Sequence, residues 1–188
     1  MKKRIILLNG PPGSGKDEIA TYLSSTKSSH KYHHLKFANC LVWMCSYMFD
    51  SFSDFDYSYE TFKKSKIGLN GETGRDLMIS LSETTIKPIL GKDVWTKFMI
   101  RRIEDTDDTG FMNLMDGYVI SDTGFPNEVT DIKERFPEKD VQLWRIITSE
   151  DQNPFGKDSR RYLDNPNKII VNEKTGLEDL YAKVDILL

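Results

Sequence analysis

Close to the amino end the chain reads Gly10-Pro11-Pro12-Gly13-Ser14-Gly15-Lys16-Asp17, one residue, Asn9, after the apolar run Ile5-Ile6-Leu7-Leu8. The spacing Gly-x-x-x-x-Gly-Lys suits the capture of a phosphate chain. Gly13 and Gly15 let the backbone turn so that successive N–H groups converge on one anion, and the following helix adds its positive end. Gly10, Pro12, Gly13, Ser14 and Gly15 would form the cradle, and Lys16 would reach the β- and γ-phosphates of ATP. The next position, where a hydroxyl residue usually binds Mg²⁺, carries Asp17. A carboxylate can hold Mg²⁺ directly or through water. It can also act as base toward a hydroxyl acceptor, or orient it.

A second acid stands where such chemistry needs one. Tyr118 to Ser121 reads as a buried strand ending at Asp122, the place where nucleotide enzymes of this kind keep a carboxylate for Mg²⁺ or its waters. Asp17 and Asp122 are therefore the metal candidates, and they compete for the role of base. Phosphoryl transfer further needs cations on the moving group, commonly from a segment that closes after binding. Lys157-Asp158-Ser159-Arg160-Arg161-Tyr162-Leu163 follows the fourth expected strand and offers Arg160 and Arg161, so a lid is expected at 152–165.

The elements that must position these groups follow from periodicity and breakers. Strands are expected over Arg4 to Leu8, His33 to Ala38, Tyr118 to Ser121, Val141 to Ile147 and Lys168 to Val171. Helices are expected over Lys16 to Leu23, Asn39 to Asp50, Gly74 to Ile86 with Pro88 marking its end, a stretch from Asp93, Asn127 to Phe136, and Leu177 to Leu187. Leu77, Met78, Leu81 and Thr85 would share one face of the Gly74 helix. The acidic stretch Glu104 to Asp116 reads as an exposed loop, and Ser51 to Asn70 as irregular. Strands alternating with helices imply an α/β fold, a parallel sheet wrapped on both faces with right-handed crossovers. Ligands then bind beyond the carboxyl ends of the strands, which draws Gly13 to Lys16, Asp122 and the segment after Ile147 toward one crevice.

With 188 residues, 38% apolar and 29% charged, the chain fits one domain, 1–188, with an acceptor-side insert or flap at 51–73. Its opening apolar run is too short for a membrane span or a signal core, so a cytoplasmic protein is expected. Cys40 and Cys45 lack metal-type spacing and read as reduced core thiols. The net charge of −3 conceals an asymmetry: Lys63 to Arg102 holds nine basic residues against four acids, while Glu104 to Asp140 holds eleven acids against three bases. Such a basic half suggests an anionic partner. Of the aromatic run from Trp43 to Phe62, the helical members read as core and Phe52 to Phe62 as candidates for stacking on a base. His30, His33 and His34 show neither metal spacing nor an acidic partner, and no role is expected of them.

These motifs together resemble the P-loop kinases of bacteriophage that act on deoxynucleoside monophosphates, the thymidylate kinase-like group. The likeness lies in the Gly-Lys-Asp ending of the loop, Phe37-Ala38-Asn39, Gly74-Arg75-Asp76-Leu77-Met78, Asp93-Val94-Trp95, and Ile120-Ser121-Asp122-Thr123-Gly124-Phe125-Pro126-Asn127-Glu128. It implies ATP, Mg²⁺ and a P-loop fold with a five-stranded parallel sheet in the order 2-3-1-4-5. Gly124 departs from the pattern, standing where an arginine would serve an acceptor phosphate. Ser82-Glu83, Ile86-Lys87-Pro88, Gly91-Lys92-Asp93, Asp122-x-Gly124-Phe125 and Asp158-Ser159-Arg160-x-Tyr162-Leu163 resemble a divergent branch, the 5-hydroxymethyl-deoxyuridine DNA kinases, which phosphorylate a base hydroxymethyl group within DNA.

The resemblance implies Lys16, Asp17, Asp122 and Arg160 as catalytic residues, Arg161 as a further ATP contact, and Arg75, Glu83, Lys87 and Phe125 on the acceptor. A hydroxyl acceptor accounts for a spare carboxylate and a missing arginine, and the basic segment suits a DNA backbone. Reaching the base requires flipping it out or an opened strand. The acceptor readings are thus modified DNA or a free deoxynucleoside monophosphate, with Arg75, Arg101 or Arg102 supplying the lost charge in the second case. A P-loop ATPase or nucleotide-binding switch is a reading of another class, for which no water-positioning group is evident.

Overall fold

The computed structural model describes residues 2–50, 59–68, 70–148, 155 and 160–188. The chain divides into two compact units, one made of Met1–Lys36 with Met99–Leu188 and the other of Phe37–Phe98.

The first unit is built on a parallel sheet of β1 (Arg4–Asn9), β2 (Tyr32–Leu35), β3 (Gly117–Ile120), β4 (Asp140–Thr148) and β5 (Lys168–Asn172), in the order β2-β3-β1-β4-β5. The order is the expected 2-3-1-4-5. β1 is central, which is why Ile5 to Leu8 are all fully buried and read as an unbroken apolar run instead of an alternating one. Ile6 and Leu8 pack with Ile19 and Leu23 of α1 (Lys16–Ser24) and with Leu180 and Val184 of α8 (Leu177–Asp185). Ile5 and Leu7 take the opposite face by the pleat. On that side Tyr118 donates its hydroxyl hydrogen to the carbonyl of Ile103 and to Asp107 of α6 (Val94–Asp108), and α7 (Pro126–Arg135) lies against β4.

Two expectations change here. The acidic stretch from Glu104 is no loop at its start, because α6 runs on to Asp108 and a 3₁₀ turn follows at Phe111–Leu114. The reason is packing: Ile103, Thr106 and Met112 are buried. The surrounding acids are paired, Arg101 with Asp105, Arg135 with Glu104 and Lys139 with Asp107. Similarly, β2 ends at Leu35 and leaves Lys36 to Ala38 outside the strand.

The second unit holds α2 (Asn39–Asp50), α3 (Tyr59–Lys64), α4 (Gly74–Ser80), a π-helical stretch (Leu81–Ile86) and α5 (Lys87–Leu90). Thr73 opens α4 with a reciprocal cap: its hydroxyl accepts from Asp76 N–H at 3.3 Å, while its own N–H donates to Asp76 Oδ2 at 2.8 Å. The helix expected to end near Pro88 continues to Leu90. In the π stretch Lys87 N–H reaches back to Ser82 O, so Pro88 falls in the first turn of α5, where its missing N–H costs little. The wider turn also rotates the face, burying Ser82 and Ile86 and leaving Thr85 exposed. Phe62, a stacking candidate from sequence, is instead fully buried in the second unit's core, against Gly74. Its burial anchors α3 inside the stretch expected to be irregular. Trp43, expected in the core, is 60% exposed. Phe52, Phe55 and Tyr57 lie outside the described residues, as do 51–58 of the expected flap and 152–154 and 156–159 of the expected lid.

Candidate active site

The loop between β1 and α1 has the backbone its glycines allow. Gly13 and Gly15 take φ of 75° and 96°, left-handed values that side-chain-bearing residues disfavour. Ser14 N–H donates to Pro11 O at 3.2 Å, closing the turn. Gly10 has no room for a Cβ, which would lie 2.5 Å from Ile146 O and 2.8 Å from Ser14 Oγ. From the far edge of the sheet, Asn172 at the end of β5 donates its amide to Ser14 O at 2.9 Å, holding the loop from outside. Lys16 is buried and curls back over the loop, donating from Nζ to Pro11 O at 2.6 Å and to Ser14 Oγ at 3.3 Å. Its ammonium therefore sits inside the ring of backbone that the turn describes, beside the first turn of α1, whose N–H groups have no acceptors within the helix. Pro12 is exposed at the rim.

Asp17 is fixed by two partners from the neighbouring strands. Lys36, just past β2, pairs with Asp17 Oδ1 at 2.6 Å, and Ser121, just past β3, donates to the same oxygen at 2.9 Å. Since Ser121 gives its one hydrogen to the carboxylate, the 2.9 Å contact from His34 Nε2 to Ser121 Oγ has the ring nitrogen as donor. Burial holds His34 neutral, its pKa lowered to about 4. For Asp17, burial pushes the pKa up, but the hydrogen bond and charge of Lys36 with the Ser121 bond outweigh it, and the net direction is down. Asp17 is therefore an ionised, oriented oxygen donor and a weak base.

The turn after β3 carries Asp122, half-buried, and leads into α7. Glu128, in the first turn of α7, is buried and accepts from Gly124 N–H at 2.7 Å and Phe125 N–H at 3.0 Å. Burial raises its pKa to about 8 against those two bonds, and the charges of Asp122 and Arg160 both act on it, the first raising and the second lowering. Arg160 lies across Gly124, where an added Cβ would overlap its stem. Asp122, Gly124, Phe125, Glu128 and Arg160 thus form one cluster. Arg161 is exposed beside it.

What ties this cluster to the loop is Asn9, the last residue of β1 and fully buried. Its amide donates to Thr123 O at 3.1 Å and Arg161 O at 3.0 Å, and its Oδ1 accepts from Leu163 N–H at 2.9 Å. Arg145 of β4 donates to Leu163 O as well and lies over the Tyr162 ring at 5.5 Å. The segment after β4 is in this way fastened at 161–163 to the central strand. Asn9→Ala removes three buried hydrogen bonds and is expected to cost about 2–4 kcal/mol. Thermal unfolding should show this as a midpoint lower by roughly 5–15 °C.

The remaining expected residues belong to the second unit and are described within it. Glu83 and Lys87 pair with each other at 2.6 Å, one turn apart across the π stretch. Beneath them Ser82 accepts the indole N–H of Trp95 at 2.8 Å. Arg75 is half-buried in the first turn of α4. Phe125, grouped with these in sequence, stands instead in the first unit on the Asp122 turn.

Sequence reasoning passed over Asn9, Lys36, Asn172 and Glu128. Asn9 is a polar residue ending a buried run, and Lys36 a cation at the carboxyl end of a strand; both positions carry a signal in a parallel sheet. Asn172 stands in the same kind of position on β5. Glu128, three residues after Phe125, reads as a helix-opening acid. His30, expected to have no acidic partner, lies 3.7 Å from Asp116, a contact between residues 86 apart that the sequence does not show.

The oxygen donors at this end of the sheet, Asp17 and Asp122, are a chemically suitable set for Mg²⁺, which prefers carboxylate and water. Ser121 links them, preceding Asp122 in the chain and bonding Asp17. The loop cradle fits a triphosphate by its φ values and its buried lysine.

No family model matches the chain, and no curated protein does. Solved structures that resemble it include the Mycobacterium tuberculosis APS kinase CysC in complex with AMPPNP and APS, at 11% identity and a TM-score of 0.48, covering 99% of this chain and 98% of that one. The Cys556Ala mutant of the same APS kinase matches at 9% identity and 0.46, covering 99% and 96%. A hexameric APS kinase from Thiobacillus denitrificans matches at 11% and 0.40, covering 99% of this chain and 29% of that one. At such identities and scores the functional argument rests on the site itself.

Proposed function

We propose that this chain is an ATP-dependent phosphotransferase acting on a nucleotide-type acceptor, the 5-hydroxymethyl group of 5-hydroxymethyluracil in DNA. The observation that carries the reading is the loop at 10–16, a left-handed glycine turn closed around the ammonium of Lys16, with the ionised Asp17 held beside it by Lys36 and Ser121. ATP places its β- and γ-phosphates in that turn, where backbone N–H groups, the end of α1 and Lys16 oppose their charge. Asp17 and Asp122 are the residues that would hold Mg²⁺, which when bound neutralises charge on the β- and γ-oxygens.

The acceptor oxygen forms a bond to the γ-phosphorus as the bond from that phosphorus to the β–γ bridging oxygen breaks, its electron pair leaving on ADP. A loose transition state makes little demand on a base, which suits the depressed proton affinity of Asp17; the hydroxyl proton passes to one of the two carboxylates, Asp17 or Asp122. Arg160 meets the charge of the moving group, and Arg161 the phosphates of ATP. Arg75, Glu83, Lys87 and Phe125 are assigned to the acceptor. Support for a hydroxyl acceptor comes from the additional carboxylate at position 17 and the side-chain-free position 124, together with the likeness to 5-hydroxymethyl-deoxyuridine DNA kinases in sequence.

The test offers γ-labelled ATP to DNA containing hydroxymethyluracil and, separately, to free deoxynucleoside monophosphates. Label in the DNA is the expected result. Label in the free nucleotides alone would make the protein a monophosphate kinase, and label released only as inorganic phosphate would make it an ATPase.

A further inference from the structure

Gly124 and Arg160 are far apart in the chain and occupy one place in the fold. A Cβ built on Gly124 would overlap Cγ and Cδ of Arg160 and lie 2.8 Å from its Cβ. The last contact decides the matter. Cγ and Cδ of an arginine can swing away, but Cβ moves only with the backbone, and the backbone beyond Arg160 is fastened through Arg161 O and Leu163 N–H to the buried Asn9. Gly124 has no positive φ to explain it, so the backbone itself would accept alanine; what excludes a side chain is the arginine. Glu128 accepts from the N–H groups of Gly124 and Phe125. The turn is thus bonded through two N–H groups to Glu128, and the arginine stem lies against its glycine.

Resting on the phosphotransferase reading, we infer that Gly124 is a positioning residue for Arg160. The bare glycine opens the path along which the arginine stem crosses the turn next to Asp122. Gly124 is on this account a specificity feature: the cation comes from a separate segment and not from the turn that carries the acid.

The test is a double-mutant cycle on the full chain with Gly124→Ala, Arg160→Gly and the pair, read by thermal midpoint and by kcat and KM for ATP. Gly124→Ala alone should lower the midpoint by roughly 5 °C. It should lower kcat on the order of 10²-fold, with a smaller change in KM, because it displaces Arg160. In the Arg160→Gly background, where Cβ is removed with the rest of the stem, the same substitution should change neither quantity, since the overlap is gone. Equal costs of Gly124→Ala in both backgrounds would overturn the inference. Should Gly124→Ala alone fail to fold, recovery of folding in the double variant supports it and continued failure overturns it. If the wild-type protein transfers no phosphate to any acceptor, the phosphotransferase reading falls, and a thermal cycle without coupling would separately remove the contact on which the inference depends.

Discussion

Lys16→Ala protein is expected to stay folded and to lose phosphate transfer on the order of 10²–10³-fold or more. The two effects separate because of where the side chain points. Lys16 contributes hydrogen bonds to Pro11 O and Ser14 Oγ but none of the apolar contacts that join α1 to the sheet, which come from Ile6, Leu8, Ile19, Leu23 and their neighbours. Its loss takes one of two donors from Pro11 O, the Ser14 N–H remaining, at a cost of about 1 kcal/mol, well within the stability of a domain of this size. The phosphates lose a buried cation. Circular dichroism and thermal melting should be close to wild type while labelled-phosphate transfer disappears. Transfer that survives in the purified variant would remove Lys16 from the site.

The second large effect is expected at Asp17. Asn keeps the oxygen that accepts from Ser121 but ends the ion pair with Lys36 and removes the negative charge. Turnover should drop on the order of 10²-fold while ATP affinity, which depends on the turn and Lys16, changes far less. If Asp17 holds the metal, the Mg²⁺ concentration for half-maximal rate rises in Asp17→Asn as well. Unchanged turnover would make the carboxylate a partner of Lys36 and nothing more.

Much of this was visible in the chain because it depends on local chemistry. The loop at 10–16, the burial of β1 and the end of β3 at Ser121-Asp122 are consequences of residue type at short spacing; the alternation of strands with helices implies a parallel sheet, while its order is only what the resemblance implies. What the sequence did not display depends on contacts across long separations. Asn9 bonds residues 114 to 154 positions away, and nothing local marks it as the fastening between the loop and the 161–163 segment. Lys36 meets Asp17 only because β2 and β3 lie side by side.

The errors have the same origin. Pro88 halts a regular α-helix, and only the π turn before it, a response to packing around Ser82 and Trp95, lets the chain continue. The acids from Glu104 suggested solvent, yet α6 carries them with Ile103 and Thr106 buried between. At Gly124 the sequence displayed a missing guanidinium; the contact with Arg160 is a matter of three dimensions.

The most direct measurement is a structure of the protein crystallised with Mg²⁺ and a non-hydrolysable ATP analogue. The account predicts the β- and γ-phosphates within the turn of Gly10 to Lys16, with Lys16 Nζ moved from Pro11 O onto a phosphate oxygen and Asp17 facing the metal. A nucleotide bound elsewhere, with Lys16 still on Pro11 O, would contradict it.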